Sequence, residues 1–295
     1  MGKEKRESLR RELVHAARAA GGGHETVGER TRMAHAFCTW LRANNIQVRT
    51  IDAAAKVRYV RDWIVSGQVT KRSAQNRAAA LRCIFRAAGR EKFAAHRDLT
   101  NKALGIGGAS REGTHRAITD AELDVAKQRA EEAYPREAAV IEIARAFGLR
   151  SEEALQSGKS LPAWRRELAR GDVVQVIYGT KGGRPRDVHV PPELLDRARA
   201  AVMRGLEITG GKVDVHLVDK PDLEKAKKRL GYVASRIGLV GQISPHSVRY
   251  AWAQERLQAH QEAGHSRADS LALTSMSLGH GDGRGRYVER VYARK

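Results

Sequence analysis

Residues 173–190 read VVQVIYGTKGGRPRDVHV. Valine and isoleucine dominate residues 173–178, and valines alternate with polar residues over 187–190, so both runs predict strands. Residues 179–186 between them combine glycine and proline with basic side chains, which is typical of a turn. The segment therefore predicts a β-hairpin that carries Lys181 at its tip.

The chain on either side of this hairpin is predicted to be helical. From residue 26, apolar side chains recur at three- and four-residue spacings through Met33, Phe37 and Leu41, which places them on one helical face. Thr119 precedes Asp-Ala-Glu and is expected to cap a helix. The predicted helices cover residues 26–43, 51–63, 73–88, 120–147 and the chain from 221 onward. This pattern indicates a fold that is mainly α with one small β-hairpin.

Glycine-rich segments divide the chain into domains. Residues 21–23 are three glycines that end a charged, alanine-rich segment with helical character. Residues 101–117 read NKALGIGGASREGTHRA and have the composition of a linker. We therefore predict an N-terminal tail at 1–22, a helical domain at 23–100, a linker at 101–117 and an α+β domain at 118–295.

The charge of the chain is high and unevenly distributed. Lysine and arginine number 54 against 34 acidic residues, which gives a net charge of +20. Residues 1–117 hold 24 basic and 10 acidic side chains, and residues 118–295 hold 30 and 24. A basic excess concentrated in one module favours a polyanionic partner, most commonly nucleic acid. The alternative is a basic protein that has no specific partner.

The predicted helix at 73–88 and the residues just before it carry part of this excess. A basic face opposite an apolar face suits a helix that packs on one side and contacts DNA phosphates on the other. An ordinary solvated face is the alternative explanation. The basic residues of this segment are Lys71, Arg72, Arg77, Arg82 and Arg86.

Several classes of protein are disfavoured by what the sequence lacks. It has no apolar run long enough for a membrane span, and no apolar stretch follows its charged start as a secretory signal would require. Its two cysteines, Cys38 and Cys83, form no CxxC pair and are expected to be free thiols in a reducing cytoplasm. No P-loop, HExxH or clustered Cys/His pattern is present, so no nucleotide or metal site is expected.

Residues 244–249 read Ser-Pro-His-Ser-Val-Arg, which predicts a helix start. Serine is a favoured cap and proline a favoured first helical residue. His246 and Arg249 would then lie three apart in the first turn, on one face. A helix N-terminus beside a guanidinium is suited to binding phosphate, although a surface histidine and arginine near a cap would give the same pattern.

Residues 148–153 read Gly-Leu-Arg-Ser-Glu-Glu and follow a largely apolar stretch. Arg150 is expected to be partly buried before a helix that begins at Ser151, so it needs an anionic partner. Glu153 could supply that partner by its spacing, and a bound phosphate is the other candidate.

With Leu278-Gly279-His280 and the late tyrosines, these segments resemble the tyrosine recombinase, or phage integrase, family, and in particular the integrases of conjugative and integrative elements. Catalytic domains of that family carry Gly-Leu-Arg-x-x-Glu, a hairpin lysine, His-x-x-Arg, Leu-Gly-His and a final tyrosine, in this order. The resemblance covers nearly the whole chain, and residues 23–100 look like the family's SAM-like core-binding domain. The matching residues are Arg150, Glu153, Lys181, His246, Arg249, His280 and a C-terminal tyrosine.

The position of the tyrosine departs from the family pattern. In many members it would fall at position 289, which is a glutamate here. Tyr287 and Tyr292 are the candidates. Tyr292 is favoured because it follows Val291, as the family's tyrosine follows an aliphatic residue, and because the glycine-rich segment after His280 would lengthen the interval. Tyr287 is then expected to be a packing aromatic.

The resemblance implies a site-specific recombinase that cuts and rejoins double-stranded DNA through a 3′-phosphotyrosyl intermediate, without metal, ATP or another cofactor. It implies that Arg150 and Arg249 bind the phosphate. His246 and His280 would add hydrogen bonds and aid proton transfer, Lys181 would protonate the leaving 5′ oxygen, and Glu153 would orient its neighbours.

The resemblance also implies partners and a location. The enzyme would work as a homotetramer on paired DNA sites, with accessory DNA-bending proteins, on the nucleoid in the cytoplasm and without a membrane. Arg184 and Arg186, beside Lys181, are assigned to DNA contact. The other residues assigned to DNA contact are Lys71, Arg72, Arg77 and Arg82. The alternatives are a non-catalytic DNA-binding protein on the same scaffold and an enzyme of the type IB topoisomerase kind.

Overall fold

The computed structural model describes residues 2–46, 56–109, 115–212 and 215–293, with side chains from residue 9 onward. The chain forms two compact units, Met1–Ser110 and Arg111–Lys295. The division between them falls inside the predicted linker at 101–117. Within the described ranges, no helix combines the length and the apolar character that crossing a membrane requires.

The first unit is helical, as predicted. The prediction of a helix at 51–63 is confirmed from residue 57, whereas residues 51–55 lie outside the described part of the chain. The helices of this unit are α1 (Gly2–Ala19), α2 (His24–Ala43), α3 (Val57–Val65), α4 (Lys71–Ala87) and α5 (Glu91–Ala94).

Helix α1 is part of the first unit and not a tail. Leu9, Leu13 and Ala17 are buried in the same apolar core as Phe37 of α2 and Leu81 of α4. The predicted tail at 1–22 is therefore wrong, because α1 contributes a full apolar stripe to the bundle. The three glycines at 21–23 mark a turn between packed helices.

The predicted linker is also too long at both ends. Ile106 is only 5% exposed and belongs to the core of the first unit. The backbone N–H of Arg116 donates to the carbonyl of Gln242, and that of Ile118 donates to Ser247, so both residues are anchored in the second unit. The connection is therefore shorter than 101–117.

Two arginines of α4 that are predicted to contact DNA form hydrogen bonds with backbone carbonyls of their own unit. Arg77 donates from Nη1 to the carbonyls of Trp63 at 3.0 Å and Ser66 at 2.9 Å. Arg82 donates from Nη1 to the carbonyl of Leu99 at 3.0 Å, and burial lowers its pKa. Arg77 and Arg82 thus have a structural role within their unit, and their contact with DNA stays a prediction.

The second unit is α+β, as predicted. The expected helix at 120–147 is two helices, because the chain breaks at Tyr134 before Pro135. The elements are α6 (Asp120–Ala133), α7 (Pro135–Phe147), α8 (Ser151–Gln156), α9 (Leu161–Arg170), β1 (Val173–Val176), β2 (Arg186–His189), α10 (Leu195–Thr209), α11 (Leu223–Arg236), α12 (Ser247–Glu262), α13 (Arg267–Ser277) and α14 (Gly285–Val291).

The predicted cap and hairpin are both confirmed. Thr119 and Glu122 form a reciprocal capping box at the start of α6. Strands β1 and β2 pair antiparallel, with Val173 opposite His189 and Val176 opposite Arg186. The strands are shorter than predicted at the turn end of β1, and Lys181 lies in a single turn of 3₁₀ helix at the hairpin tip.

Packing across the second unit fixes the hairpin and the ends of the helices around it. Helix α7 is buried over most of its length, and Phe147 at its end packs on Trp164 of α9 with ring centroids 5.0 Å apart. Trp164 Nε1 donates to the carbonyl of Gln175 in β1 at 2.8 Å. The hairpin is therefore attached to the same core as the end of α7, where the Gly-Leu-Arg segment begins.

Substituting Leu13→Ala tests whether α1 stabilises the first unit. Leu13 is 0% exposed, so removing its buried methyl groups is expected to lower the free energy of unfolding by about 2–5 kcal/mol. The exposed neighbour Arg11→Ala is the matched control and should change it by less than about 0.5 kcal/mol. Urea unfolding followed by circular dichroism measures both, and equal small effects would show that α1 is a dispensable tail.

Candidate active site

Gly148 sets the geometry at the end of α7. Its φ of 61° lies in the left-handed region. A Cβ at this position would lie 2.4 Å from the indole ring of Trp252 on α12, so no larger residue fits. The carbonyl of Gly148 accepts a hydrogen bond from Nη1 of Arg249, also on α12. The glycine of the Gly-Leu-Arg motif thus brings α7 and α12 into contact.

Glu153 is a buried carboxylate held by arginines from separate segments. Its side chain is 0% exposed. Arg150 donates from its backbone N–H at 2.8 Å and from Nη1 at 2.7 Å, while Arg186 donates from Nη1 at 2.6 Å and Nη2 at 2.8 Å. Arg249 lies 3.9 Å away. Burial tends to raise the pKa of Glu153, but the arginines, Arg186 foremost, lower it below its ordinary value.

Arg186 was assigned to DNA contact, and the structure corrects that assignment. Its side chain is 7% exposed, and its Nε donates to the carbonyl of Ser277 at 2.9 Å while both Nη groups bind Glu153. The strand alternation carried the signal for this role, because Val188 and Val190 face inward and Arg186 shares their face. Arg186 connects the hairpin to the Arg150–Glu153 pair.

Arg249 is fully buried at the start of α12. The helix begins at Ser247 and not at the predicted position of Pro245, because residues 244–246 form a turn in which the N–H of Ser244 donates to Ser247 Oγ. Arg249 is 0% exposed, and burial lowers its pKa to about 10. It therefore remains protonated at neutral pH.

The Leu278-Gly279-His280 segment joins the two arginines of the motifs. The carbonyl of Leu278 accepts from Nη2 of Arg249 at 2.5 Å and from Nη2 of Arg150 at 3.2 Å. Gly279 has a φ of 68°, and a Cβ there would lie 2.8 Å from Cδ of Arg186. The turn after α13 can therefore pass close to the arginines and present His280 beyond them.

Tyr292 follows the last turn of α14 and turns its hydroxyl toward this cluster. Its Oη lies 3.2 Å from Nε2 of His280 and accepts from Nε of Arg249 at 3.5 Å. The side chain is buried and packs on Tyr250 with ring centroids 4.7 Å apart. Tyr287 instead packs edge-on against His280, at 4.8 Å between centroids.

Both histidines of the motifs are neutral in this arrangement. Burial, followed by the charge of Arg249, lowers the pKa of His246 to about 4 and that of His280 to about 3. A neutral imidazole can donate from one ring nitrogen and accept at the other. His280 is therefore able to accept a hydrogen bond from the hydroxyl that it contacts.

A cleft of about 1240 Å³ opens in front of these groups. Arg150, His246, His280 and Tyr292 line it, together with exposed residues of the hairpin. Those hairpin residues are Lys181 and Arg184. Arg249 and Glu153 lie behind the wall of the cleft. Within the described ranges, no three His, Cys, Asp or Glu side chains group in a way that could hold a metal ion.

The predicted motif residues thus meet in one place, although they are spread over more than 140 positions of the chain. Guanidiniums, neutral imidazoles, a hairpin lysine and a phenol surround a cleft of positive charge. Such a set can bind an anionic oxygen, stabilise added negative charge and supply a nucleophile with a proton acceptor beside it.

Comparison with known proteins matches this architecture. Residues 105–255 match the family model described as "Integrase", and residues 6–94 match the one described as "Phage integrase, N-terminal". No curated protein sequence matches the chain at a significant level. The chain belongs to the phage integrase family of tyrosine recombinases.

Solved structures share the fold at low sequence identity. The Tn1549 transposon integrase in complex with transposon right end DNA is 14% identical, with 95% of this chain and 93% of that chain covered and a TM-score of 0.60. The XerH site-specific recombinase bound to palindromic difH substrate is 15% identical, with 90% and 76% covered and a TM-score of 0.54. Both similarities extend over at least 90% of this chain.

Substituting Glu153→Gln tests the role of the buried carboxylate through pH. Because the pKa of Glu153 is lowered in the folded chain, its ionised form stabilises the fold above its ordinary pKa of 4.5. That stabilisation is lost as the pH falls through the lower folded-state value. The variant should be less stable than the wild type by about 3–5 kcal/mol at neutral pH, since it leaves buried guanidiniums uncompensated.

Urea unfolding at a series of pH values measures this difference. We expect it to be constant between about pH 7 and pH 5 and to shrink below the ordinary carboxyl pKa. Glu132→Gln, at an exposed position of α6, is the control and should show no such trend. A difference that stays constant at acid pH would mean that Glu153 is not stabilised as a carboxylate.

Proposed function

We propose that this protein is a site-specific DNA recombinase that cuts and rejoins DNA through Tyr292. The observation that carries the proposal is the position of the Tyr292 hydroxyl, 3.2 Å from His280 and 3.5 Å from Arg249 at the wall of a basic cleft. A phenol needs a proton acceptor to become a nucleophile, and a phosphodiester needs its charge neutralised before an anion can attack it. Both requirements are met in this cluster.

The scissile phosphate would bind between the two motif arginines and His246. Arg150 is 21% exposed and reaches the cleft directly. Arg249 is covered by the ring of Tyr292, which lies 5.9 Å from its guanidinium carbon. Contact between Arg249 and phosphate therefore requires Tyr292 to move outward. That movement carries the hydroxyl toward the phosphorus.

Cleavage is a transesterification in which the number of phosphoester bonds does not change. Oη of Tyr292 forms a bond to phosphorus while the bond from phosphorus to the 5′ oxygen breaks. His280 accepts the phenolic proton once the bound phosphate offsets the arginine charges that lower its pKa. Lys181 at the exposed hairpin tip donates a proton to the leaving 5′ oxygen. Attack by a 5′ hydroxyl reverses the step and rejoins DNA, so no ATP is consumed.

Arg150 and Arg249 stabilise the transition state because they are fixed before DNA arrives. Their guanidiniums are held by the carbonyl of Leu278, and Glu153 compensates part of their charge. Preorganised cations in a poorly hydrated site stabilise developing negative charge more than mobile surface cations do. Metal ions have no role in this scheme.

Two competing functions predict different chemistry. A non-catalytic DNA-binding protein would need no tyrosine hydroxyl directed at an arginine and a histidine, and Tyr292 disfavours it. An enzyme of the type IB topoisomerase kind would use the same cluster and relax supercoils. The match to the phage integrase N-terminal model over residues 6–94 favours recombination over relaxation.

The proposed function also includes DNA contacts outside the active site, an oligomeric state and a cellular location. Residues 1–110 would form the core-binding domain, with Lys71 and Arg72 at DNA, and Arg184 would contact DNA from the hairpin. A homotetramer on paired sites, accessory DNA-bending proteins and a nucleoid location in the cytoplasm complete it. The structural similarity to a transposon integrase supports an origin in a mobile element.

The nucleophile is tested by trapping a covalent adduct. A nicked suicide duplex that carries the attachment site, identified by sequencing element junctions, is expected to yield a protein–DNA adduct with the wild type and with Tyr287→Phe. Tyr292→Phe should yield none, because it removes the attacking oxygen. Denaturing gel electrophoresis separates the adduct from free protein.

Further measurements on the adduct serve as controls. Peptide mapping of the adduct should place the DNA on Tyr292. An adduct formed by Tyr292→Phe but not by Tyr287→Phe would make Tyr287 the nucleophile. Adduct formation should persist in excess EDTA, and its loss there would point to a metal-dependent nuclease.

The DNA-binding role of the first unit is tested at Lys71, which is exposed at the start of α4. Lys71→Ala should reduce the slope of log affinity against log salt by about 0.9 if it contacts one phosphate of duplex DNA. Lys92→Ala, an exposed lysine of α5, is the matched control for charge. Fluorescence anisotropy with a labelled duplex measures both, and identical slopes for the wild type and Lys71→Ala would remove this residue from the interface.

A further inference from the structure

Arg256 is a buried arginine that lacks a carboxylate partner. It lies on α12 and is 6% exposed. Its Nη2 is 3.3 Å from Nε2 of His260, and its Nε has no hydrogen-bond partner. No acidic side chain in the described part of the chain lies within ion-pair distance of it. Burying a cation in this way is costly unless an anion arrives to compensate it.

Arg145, a buried arginine of the same unit, has the carboxylate partner that Arg256 lacks. It is 4% exposed, and its two Nη groups bind both carboxylate oxygens of Glu255. Arg256 has only the more distant charges of Glu193 and Asp172, and burial lowers its pKa. The contrast indicates that Arg256 is not simply one half of an internal ion pair.

Arg256 lies 5.9 Å from the ring centroid of Trp252 and has histidines beside it at the wall of the catalytic cleft. Arg256, His260, His265 and His189 line the same cleft as Arg150 and Tyr292. The rings of His260 and His265 lie 5.7 Å apart. Two carboxylates, Asp187 and Asp282, also line the cleft, and Gln175 Nε2 donates to Asp187 at 3.4 Å.

His260 fixes the orientation of the guanidinium. Burial and the charge of Arg256 lower the pKa of His260 to about 4, so its ring is neutral at neutral pH. A neutral Nε2 accepts from Nη2 of Arg256, which leaves Nε and Nη1 as the donors that remain for a ligand. A fixed guanidinium with adjacent donors matches the bidentate geometry of a phosphate.

We propose that Arg256, supported by His260, His265 and His189, forms a second phosphate subsite that holds a DNA backbone phosphate beside the scissile one. The proposal rests on the proposed function in taking this cleft to hold DNA. Its occupant is a phosphate of the same duplex, because the subsite and the catalytic cluster line one continuous cleft.

The spacing along α12 indicates which phosphate is held. Arg249 and Arg256 are seven residues apart and so share one helical face, separated by about 10 Å of helix rise. Each DNA strand carries one phosphate per roughly 3.4 Å of helix axis. The phosphate at Arg256 would therefore lie within a few nucleotides of the one that Tyr292 attacks.

Arg256→Met tests the subsite because it keeps the buried volume and removes the charge. If Arg256 awaits an anion, the thermal midpoint should be unchanged or higher, since an uncompensated buried cation is lost. Affinity for a labelled 30-base-pair duplex should fall roughly five- to tenfold at moderate salt, and the salt slope should drop by about 0.9. Arg165→Met, at an exposed position of α9, is the matched control and should leave the slope unchanged.

The outcomes separate this subsite from the proposed function. If the wild type binds duplex and Arg256→Met keeps its affinity and salt slope, the subsite is overturned whatever the adduct assay shows. If the wild type forms no adduct but Arg256→Met still lowers the slope, the subsite stands and the recombinase proposal fails. An equal loss of slope in Arg165→Met would also overturn the subsite, because the effect would then be one of net charge.

A phosphate titration distinguishes the source of the anion. With duplex already bound, DNA fills the subsite. Adding inorganic phosphate should then raise the thermal midpoint of the wild type and of Arg256→Met by the same amount. If Arg256→Met abolishes stabilisation by inorganic phosphate and leaves duplex affinity unchanged, the occupant is a free phosphate ion and the DNA assignment is overturned.

Discussion

The buried carboxylate of Glu153 is the interaction on which the site depends. It accepts hydrogen bonds from Arg150 and Arg186 and lies 3.9 Å from Arg249, so it joins segments that are distant in sequence. Without a central anion, three guanidiniums could not share so small a buried volume, because their mutual repulsion would be uncompensated. The carboxylate therefore makes a dense cationic cluster compatible with a stable fold.

Close backbone approach is the second requirement of the cluster. Gly148 and Gly279 both have positive φ, and each meets a bulky side chain at a distance that excludes a Cβ. Their neighbouring carbonyls, of Gly148 and Leu278, accept from Arg249. The glycines of the motifs thus allow backbone carbonyls to come close enough to orient Arg150 and Arg249.

The side chains that line the cleft carry an excess of positive charge. The neutral histidines and the partly uncompensated arginines leave the cleft cationic in the free protein, which suits a polyanion. Glu153 keeps its own charge behind the wall, where it orients the arginines without facing the cleft. Arg256 extends the same principle along α12, with a histidine in place of the carboxylate.

The sequence alone predicted the motifs, the hairpin and most of the helices, because each of these is a local property of the chain. Strand alternation also carried a signal for the inward-facing Arg186, which was nonetheless assigned to DNA. Other features were not local. Whether α1 is a tail or a core helix depends on what its apolar stripe meets, and Leu13 meets α2 and α4. Arg77 and Arg82 bind backbone carbonyls of their own unit, which the sequence did not reveal because a basic helix face has the same pattern with or without such contacts. Burial and hydrogen-bond partners arise from contacts between residues that are distant in sequence, so only the tertiary structure reveals them.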